Sequence, residues 1–233
     1  MRDARLPLTP SLEILGYSRQ GRPIELWQLT TGSPQLLLLG GVHGDEVEAY
    51  QLLDRWVATG VWANLQGKAS LWVIPRVNPD GCWVGERVNA NGVDLNRNMA
   101  TRDWSAQILN PRYPPGSAAN SEPETQILAA CIERLAPHFI LSLHACQQDA
   151  CVNFNGPCRR AAEVMSTHNR LPVTDDIGYP TPGSLGTWAG WERGIPTITL
   201  EILRGTPPEQ VWQEESLALL ETLRFAAEQP TLG

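Results

Sequence analysis

No stretch of the 233-residue sequence is apolar for long enough to cross a bilayer. The longest apolar run, Leu36 to Val42, falls far short of the roughly 20 residues that a membrane-spanning helix needs, and it reads instead as a buried strand. The opening Met1-Arg2-Asp3-Ala4-Arg5-Leu6-Pro7 lacks the basic start and apolar stretch of a secretory signal, so a cytoplasmic location is expected. The five cysteines (Cys82, Cys131, Cys146, Cys151 and Cys158) include no C-x-x-C pair, and an odd number cannot all pair within one chain; reduced thiols are expected. No repeat, low-complexity segment or linker divides the chain, so a single domain over residues 1–233 is expected. Only 18% of residues are charged, and the formal net charge is −7. That balance argues against nucleic acid or an anionic membrane surface as a partner, while a local basic pocket for a small anion stays open.

The 42% hydrophobic content is enough for a folded core. Gln35–Val42 is continuous and apolar, as in a strand covered on both faces. Asp45–Thr59 has apolar residues at helical spacing, with Asp45 and Glu46 in its first turn, where acids suit the helix dipole. Ala69–Val77 reads as a second strand. Residues 78–120 are rich in Asn, Gly and Pro and form a long connection of the kind that carries function. Ser121 and Glu124 fit a capping box opening a helix to about Leu135. Phe139–Leu143, a short run at 152–154 and Ile195–Ile202 read as further strands, with helices over Gly156–Arg170 and Pro208–Glu228. Alternating strands and helices predict an α/β fold: one mixed, largely parallel, twisted sheet flanked by helices. In such sheets, sites gather at the carboxyl ends of strands.

Three of the predicted strands lead to residues with chemistry. His43 and Glu46 follow the first and could face one cation, since zinc accepts imidazole nitrogen and carboxylate oxygen; equally, Glu46 could be a helix-capping acid beside a satisfied histidine. His144 follows Phe139–Leu143 as a third ligand or a hydrogen-bonded structural residue; His138 and His168 read as structural. Glu201 sits inside the apolar run Thr197–Leu203. A carboxylate there is costly to bury unless it is paired or used, and metal-assisted hydrolysis needs a base of this kind; the alternative is an edge strand with Glu201 in water. The block Arg87–Asn98 carries two arginines. Asn96 and Arg97 suit a substrate carboxylate, and Asp94 suits a carboxylate that orients a ligating histidine; a solvated loop with Asn turns would look similar.

As an ordered set these residues resemble the zinc carboxypeptidase family of the carboxypeptidase A type. The set comprises H-x-x-E (His43, Glu46), N-P-D-G (Asn78–Gly81), Arg87, G-V-D-x-N-R-N (Gly92–Asn98), S-E-P-E-T (Ser121–Thr125), His144 and Glu201. The phrases G-G-V-H-G-D-E, R-V-N-A-N-G-V-D-L-N-R-N, T-P-G-S-L-G-T-W (Thr181–Trp188) and I-T-L-E are similar to the bacterial branch that hydrolyses the γ-D-glutamyl–meso-diaminopimelate bond of murein tripeptide in cell-wall recycling. The resemblance implies a zinc carboxypeptidase-like fold and one Zn2+ per chain on His43, Glu46 and His144. Glu201 would be the general base and then the proton donor to the leaving amine. Arg87 would polarise the scissile carbonyl, Asn96 and Arg97 would hold the terminal carboxylate, and Tyr179 would close over it. The implied partner is a small peptide with a free carboxylate.

Three other activities share part of this pattern: a zinc amidohydrolase of N-acyl amino acids (succinylglutamate desuccinylase or aspartoacylase type), a carboxypeptidase of ordinary peptides, and a non-catalytic zinc-bearing module. Cys146, Gln147, Gln148, Asn153 and Arg204 are positions where a diaminopimelate side chain would be selected. The oligomeric state stays open, a homodimer included.

Overall fold

The computed structural model describes residues 10–108, 110–229 and 231–233. Eight strands form one mixed sheet: β1 (Ser11–Tyr17), β2 (Pro23–Gln28), β3 (Gln35–Leu39), β4 (Ser70–Ile74), β5 (Phe139–Cys146), β6 (Cys151–Asn155), β7 (Val173–Thr174) and β8 (Thr197–Leu203). Their spatial order is β1-β2-β4-β3-β5-β8-β6-β7. The centre, β4-β3-β5-β8, is parallel. Strands β2 and β6 run antiparallel to it on the two sides. The α-helices among the described residues are α1 (Val47–Thr59), the short α2 (Pro79–Val84), α3 (Pro123–Leu135), α4 (Arg159–Asn169) and α5 (Pro208–Glu228). No described helix is long and apolar enough to cross a membrane.

Side chains alternate across the central strands and both faces are covered, which is why these strands are largely apolar. Leu36 and Leu38 of β3, with Phe139, Leu141 and Leu143 of β5, pack in one core under α1, α4 and α5. Leu37, Leu39 and Ile140 face a second core under α3. Each fully buried leucine contributes about 1.5–3 kcal/mol. In α1, Ala49, Leu52, Leu53 and Trp56 recur at i, i+3, i+4 and i+7 and are all buried.

The same alternation places the polar residues. In the parallel β5–β8 register, Leu141 faces Ile198 and Leu143 faces Leu200 on the first core's side, so His144 and its register partner Glu201 share the opposite side. Strand β8 lies between β5 and β6. The edge-strand alternative for Glu201 is therefore wrong.

Several boundaries differ from the sequence reading. Strands β1 and β2 were not anticipated, because β1 has no buried residue, β2 is buried on one face only, and their apolar runs are short. Strand β3 ends at Leu39 and β4 spans Ser70–Ile74, while β5 continues through His144 to Cys146. Helix α1 begins at Val47, so Asp45 and Glu46 precede its first turn, and Glu46 makes no capping hydrogen bond because its carboxylate is turned to the histidines. The capping box at Ser121 does not form either. The helix opens at Pro123 after Glu122, and Ser121 Oγ instead donates to Glu122 Oε1 (2.7 Å). Glu124 accepts from the Arg19 amide and from Asn89. Buried donors of the preceding loop claim both side chains.

Candidate active site

The loop after β3 reaches the site through close packing. A Cβ on Gly44 would lie 1.9 Å from the Gly81 carbonyl carbon, and one on Gly81 would meet Asn78 Nδ2 at 2.3 Å. Only glycines let the His43–Glu46 turn press against the N-P-D-G turn at the start of α2. Asp80 of that motif points away from the site. It accepts from Ser18 Oγ (2.8 Å), the Gln20 amide (2.9 Å) and Arg22 (2.7 Å), and so pins the turn between β1 and β2.

Three buried side chains from separate elements converge: His43 after β3, Glu46 before α1 and His144 in β5. One ligand atom from each lies within 4.8 Å of the others. His43 Nδ1 is 2.8 Å from Glu46 Oε1 and 3.2 Å from His144 Nδ1, which is 3.0 Å from Glu46 Oε2. The other His43 nitrogen, Nε2, lies 3.0 Å from Asp94 Oδ1. With Nε2–H donated to that carboxylate, Nδ1 is left bare, facing a second imidazole nitrogen and a carboxylate. This donor set fits zinc: two imidazole nitrogens and a carboxylate oxygen crowded together at the edge of a cleft, as a site with an open position for water requires.

Around this centre the electrostatics separate the two glutamates. Burial opposes charge on Glu46, but the adjacent His43 and His144 outweigh it and hold its carboxyl well below the usual carboxylate range. Glu201 goes the other way: burial and the neighbouring Glu46 push its carboxyl up, against the pull of His144. Asp94 is held low, since His43 and Arg87 overcome its burial. Arg87 spans the group, donating from Nε to Asp94 Oδ2 (2.9 Å) and from Nη1 to Glu46 Oε1 (3.1 Å).

A cleft of about 690 Å³ opens here, lined by His43, Glu46, His144, Glu201, Arg87, Asn96, Arg97 and Tyr179 together with Cys146, Gln147, Gln148 and Arg204. Asp94 lies buried behind His43. Asn153 lines a smaller adjoining cavity of about 110 Å³ that shares Glu201 and Asn96. His138 and His168 stand apart from the centre, His138 Nε2 meeting the Gln229 carbonyl at 3.2 Å. Asn96 Oδ1 accepts the Leu185 amide (2.9 Å), and the Met99 amide donates to the Gly183 carbonyl (2.9 Å). Gly183 approaches so closely that a Cβ there would lie 2.2 Å from the Arg97 carbonyl oxygen. The Thr181–Trp188 phrase thus braces the Asn96–Arg97 backbone. Asn98 ties the same loop to S-E-P-E-T, its Oδ1 accepting from the Glu122 amide and Thr125 Oγ1.

Arg97 is only 5% exposed. It donates to the Asn96 carbonyl (2.7 Å), and no carboxylate comes within ion-pair distance of it among the described residues. A buried guanidinium without an anion is costly and suits an anionic ligand. The sequence reading missed Arg112 and Tyr113, which also line the cleft. Both lie in a loop without periodicity, where nothing marks one residue over the next.

The comparisons with known proteins agree with this architecture. The family model for zinc carboxypeptidases (peptidase family M14) matches residues 3–176. Murein peptide amidase A of Escherichia coli (strain K12) is 34% identical over 207 residues, 82% of this chain and 81% of that protein. The Vibrio campbellii protein of the same name is 32% identical over 178 residues, 71% of this chain and 68% of that one. The crystal structure of murein-tripeptide amidase MpaA from Escherichia coli O157 superposes with a TM-score of 0.79 at 29% identity, covering 99% of this chain and 97% of that one. The chain belongs to the zinc carboxypeptidase family and is a hydrolase.

Proposed function

We propose that the chain hydrolyses the γ-D-glutamyl–meso-diaminopimelate bond of murein tripeptide, L-Ala-γ-D-Glu-meso-diaminopimelate, as one catalytic unit in the cytoplasm. The observation that carries this reading is the pairing, in one cleft, of a buried, anion-free Arg97 with a protonation-prone Glu201 beside a His-Glu-His cluster. The named relatives supply the substrate class.

In this reading His43, Glu46 and His144 hold one zinc ion, and Asp94 fixes the His43 tautomer. Bound zinc supplies Lewis acidity to the scissile carbonyl and to the attacking water. Glu201 takes a proton from that water and returns it to the leaving amine; burial gives it the raised basicity the task needs. Arg87, held by Asp94 and Glu46, stays cationic and meets the developing oxyanion. Asn96 and Arg97 hold the carboxylate of the departing residue, which restricts cleavage to the bond beside a free carboxyl terminus. Tyr179, 47% exposed at the cleft mouth, closes over that carboxylate.

The test offers zinc-loaded protein the tripeptide, N-acetyl-aspartate and a benzoylated dipeptide side by side. The expected result is release of diaminopimelate, with the other two cleaved at least roughly 100-fold more slowly, since a site built for polar groups rejects substrates lacking them. Preferred cleavage of N-acetyl-aspartate, or equal cleavage of the benzoylated dipeptide, assigns the chain to one of the alternatives instead.

A further inference from the structure

Arg87 and Arg97 share a neighbour that neither motif contains. The Arg87 guanidinium carbon lies 4.8 Å from the centre of the Tyr113 ring, and that of Arg97 lies 5.0 Å from it. The Tyr179 ring runs parallel to the Tyr113 ring, 4° apart in plane and 6.1 Å between centres. Tyr113, Tyr179 and Arg97 also line a second cavity of about 270 Å³ next to the main cleft. One aromatic ring thus contacts both arginines and the tyrosine of the proposed substrate clamp.

The physical need is plain at Arg97. Arg97 is only 5% exposed as a residue, and no acid comes within ion-pair distance of its guanidinium among the described residues. An aromatic face offers partial negative charge without an anion. It holds the guanidinium in place without neutralising it, so the contact persists when a carboxylate binds, which an acidic partner in the same place would repel. Arg87 differs: Asp94 and Glu46 already anchor it, so the ring adds direction more than charge.

We propose that Tyr113 is a positioning residue for the carboxylate clamp. Its ring holds Arg97 ready for the substrate carboxylate, fixes the spacing of Arg97 from Arg87, and seats Tyr179 beside them. This rests on Arg87 and Arg97 binding substrate as set out above. The ring is what matters, and the hydroxyl is dispensable: Tyr113→Phe retains the effect, and Tyr113→Leu loses it.

The test reads KM and kcat for Tyr113→Phe, Tyr113→Leu and a series with mono-, tri- and pentafluorophenylalanine at position 113. Fluorination keeps the ring's shape while draining charge from its face. Tyr113→Phe should stay within about 2-fold of the parent. Pentafluorophenylalanine and Tyr113→Leu should raise KM for the tripeptide roughly 10-fold, with intermediate rings in between and a smaller fall in kcat through Arg87. With the leaving residue's α-carboxylate amidated, the KM response should vanish. A flat response across the fluorinated series, or an equal KM rise with the amidated substrate, overturns the proposal. An inactive parent would sink the function but not this inference. It is then read from the Arg87 and Arg97 Nε–H resonances, which the ring current should displace in the parent and Tyr113→Phe but not in Tyr113→Leu. Identical resonances in all three also overturn it.

Discussion

Two glutamates among the described residues have carboxyls pushed upward, and they sit in different kinds of surroundings. Glu201 lies on the central strand β8, beside His144 in register and open to a 690 Å³ cleft. Glu215 lies on α5, 3% exposed, with Asn169 of α4 donating to its Oε2 at 2.9 Å. Burial is the largest influence on both. A raised carboxyl is therefore no mark of catalysis by itself. What separates the two is company: imidazoles, two arginines and a cleft at the sheet end, a single amide in the helix seam.

The largest expected effect tests the first half of that contrast. Glu201→Gln keeps size and polarity but cannot accept a proton. Turnover of the tripeptide should fall about 1,000-fold or more, while zinc content by metal analysis stays at one per chain. Turnover near the parent's would strip Glu201 of its assigned role and leave the two glutamates alike.

Arg97→Met comes next. It preserves much of the buried volume and removes the charge, so the loss should appear as a KM raised roughly 100-fold, the size expected for a charged hydrogen-bonded contact. A fall confined to kcat would place Arg97 in the transition state rather than in substrate binding. Asp94→Asn follows. It can still accept a hydrogen bond but no longer carries the charge that favours the His43 tautomer with Nδ1 bare, and zinc affinity measured by competition with a chelator should drop about 10- to 100-fold. An unchanged affinity would mean that the ring is held by packing alone.

The contrast also explains what could be read from the chain. The buried centre of the sheet was legible because strands covered on both faces must be apolar, and the glutamate in Thr197–Leu203 stood out against that background. His43 and Glu46 were legible because they follow such a strand, and His144 because it is a polar residue late in another. Strands β1 and β2 were not, since β1 has no buried residue and β2 only one covered face, which leaves a weak pattern. Ser121 and Glu124 misled because a capping sequence also suits donors from elsewhere, and the buried loop around Asn89 and Asn98 claims both. Tyr113 and Glu215 carried no signal at all. One lies in an irregular loop, and the other is a glutamate in an otherwise ordinary amphipathic helix whose partner, Asn169, is distant in sequence.

Glu215→Gln probes the other half of the comparison and should be the mildest change, visible in stability and not in turnover. The Glu215 carboxyl is pushed up to about 7 from an ordinary 4.5, chiefly by burial between α4 and α5. Below pH 4.5 it is protonated whether the chain is folded or not, and it costs nothing. As pH rises toward 7 the unfolded chain releases this proton while the folded one holds it, so stability from this group is lost across that window and stays lost above it. At about 1.4 kcal/mol per pH unit, the difference amounts to about 3 kcal/mol. Gln cannot ionise and can still accept the Asn169 amide. The variant should therefore match the parent in urea unfolding near pH 4 and exceed it by up to about 3 kcal/mol at pH 8, with kcat and KM unchanged. A variant less stable than the parent at pH 8 would mean that the charged carboxylate is used in the seam, and the distinction between the two glutamates would have to be redrawn.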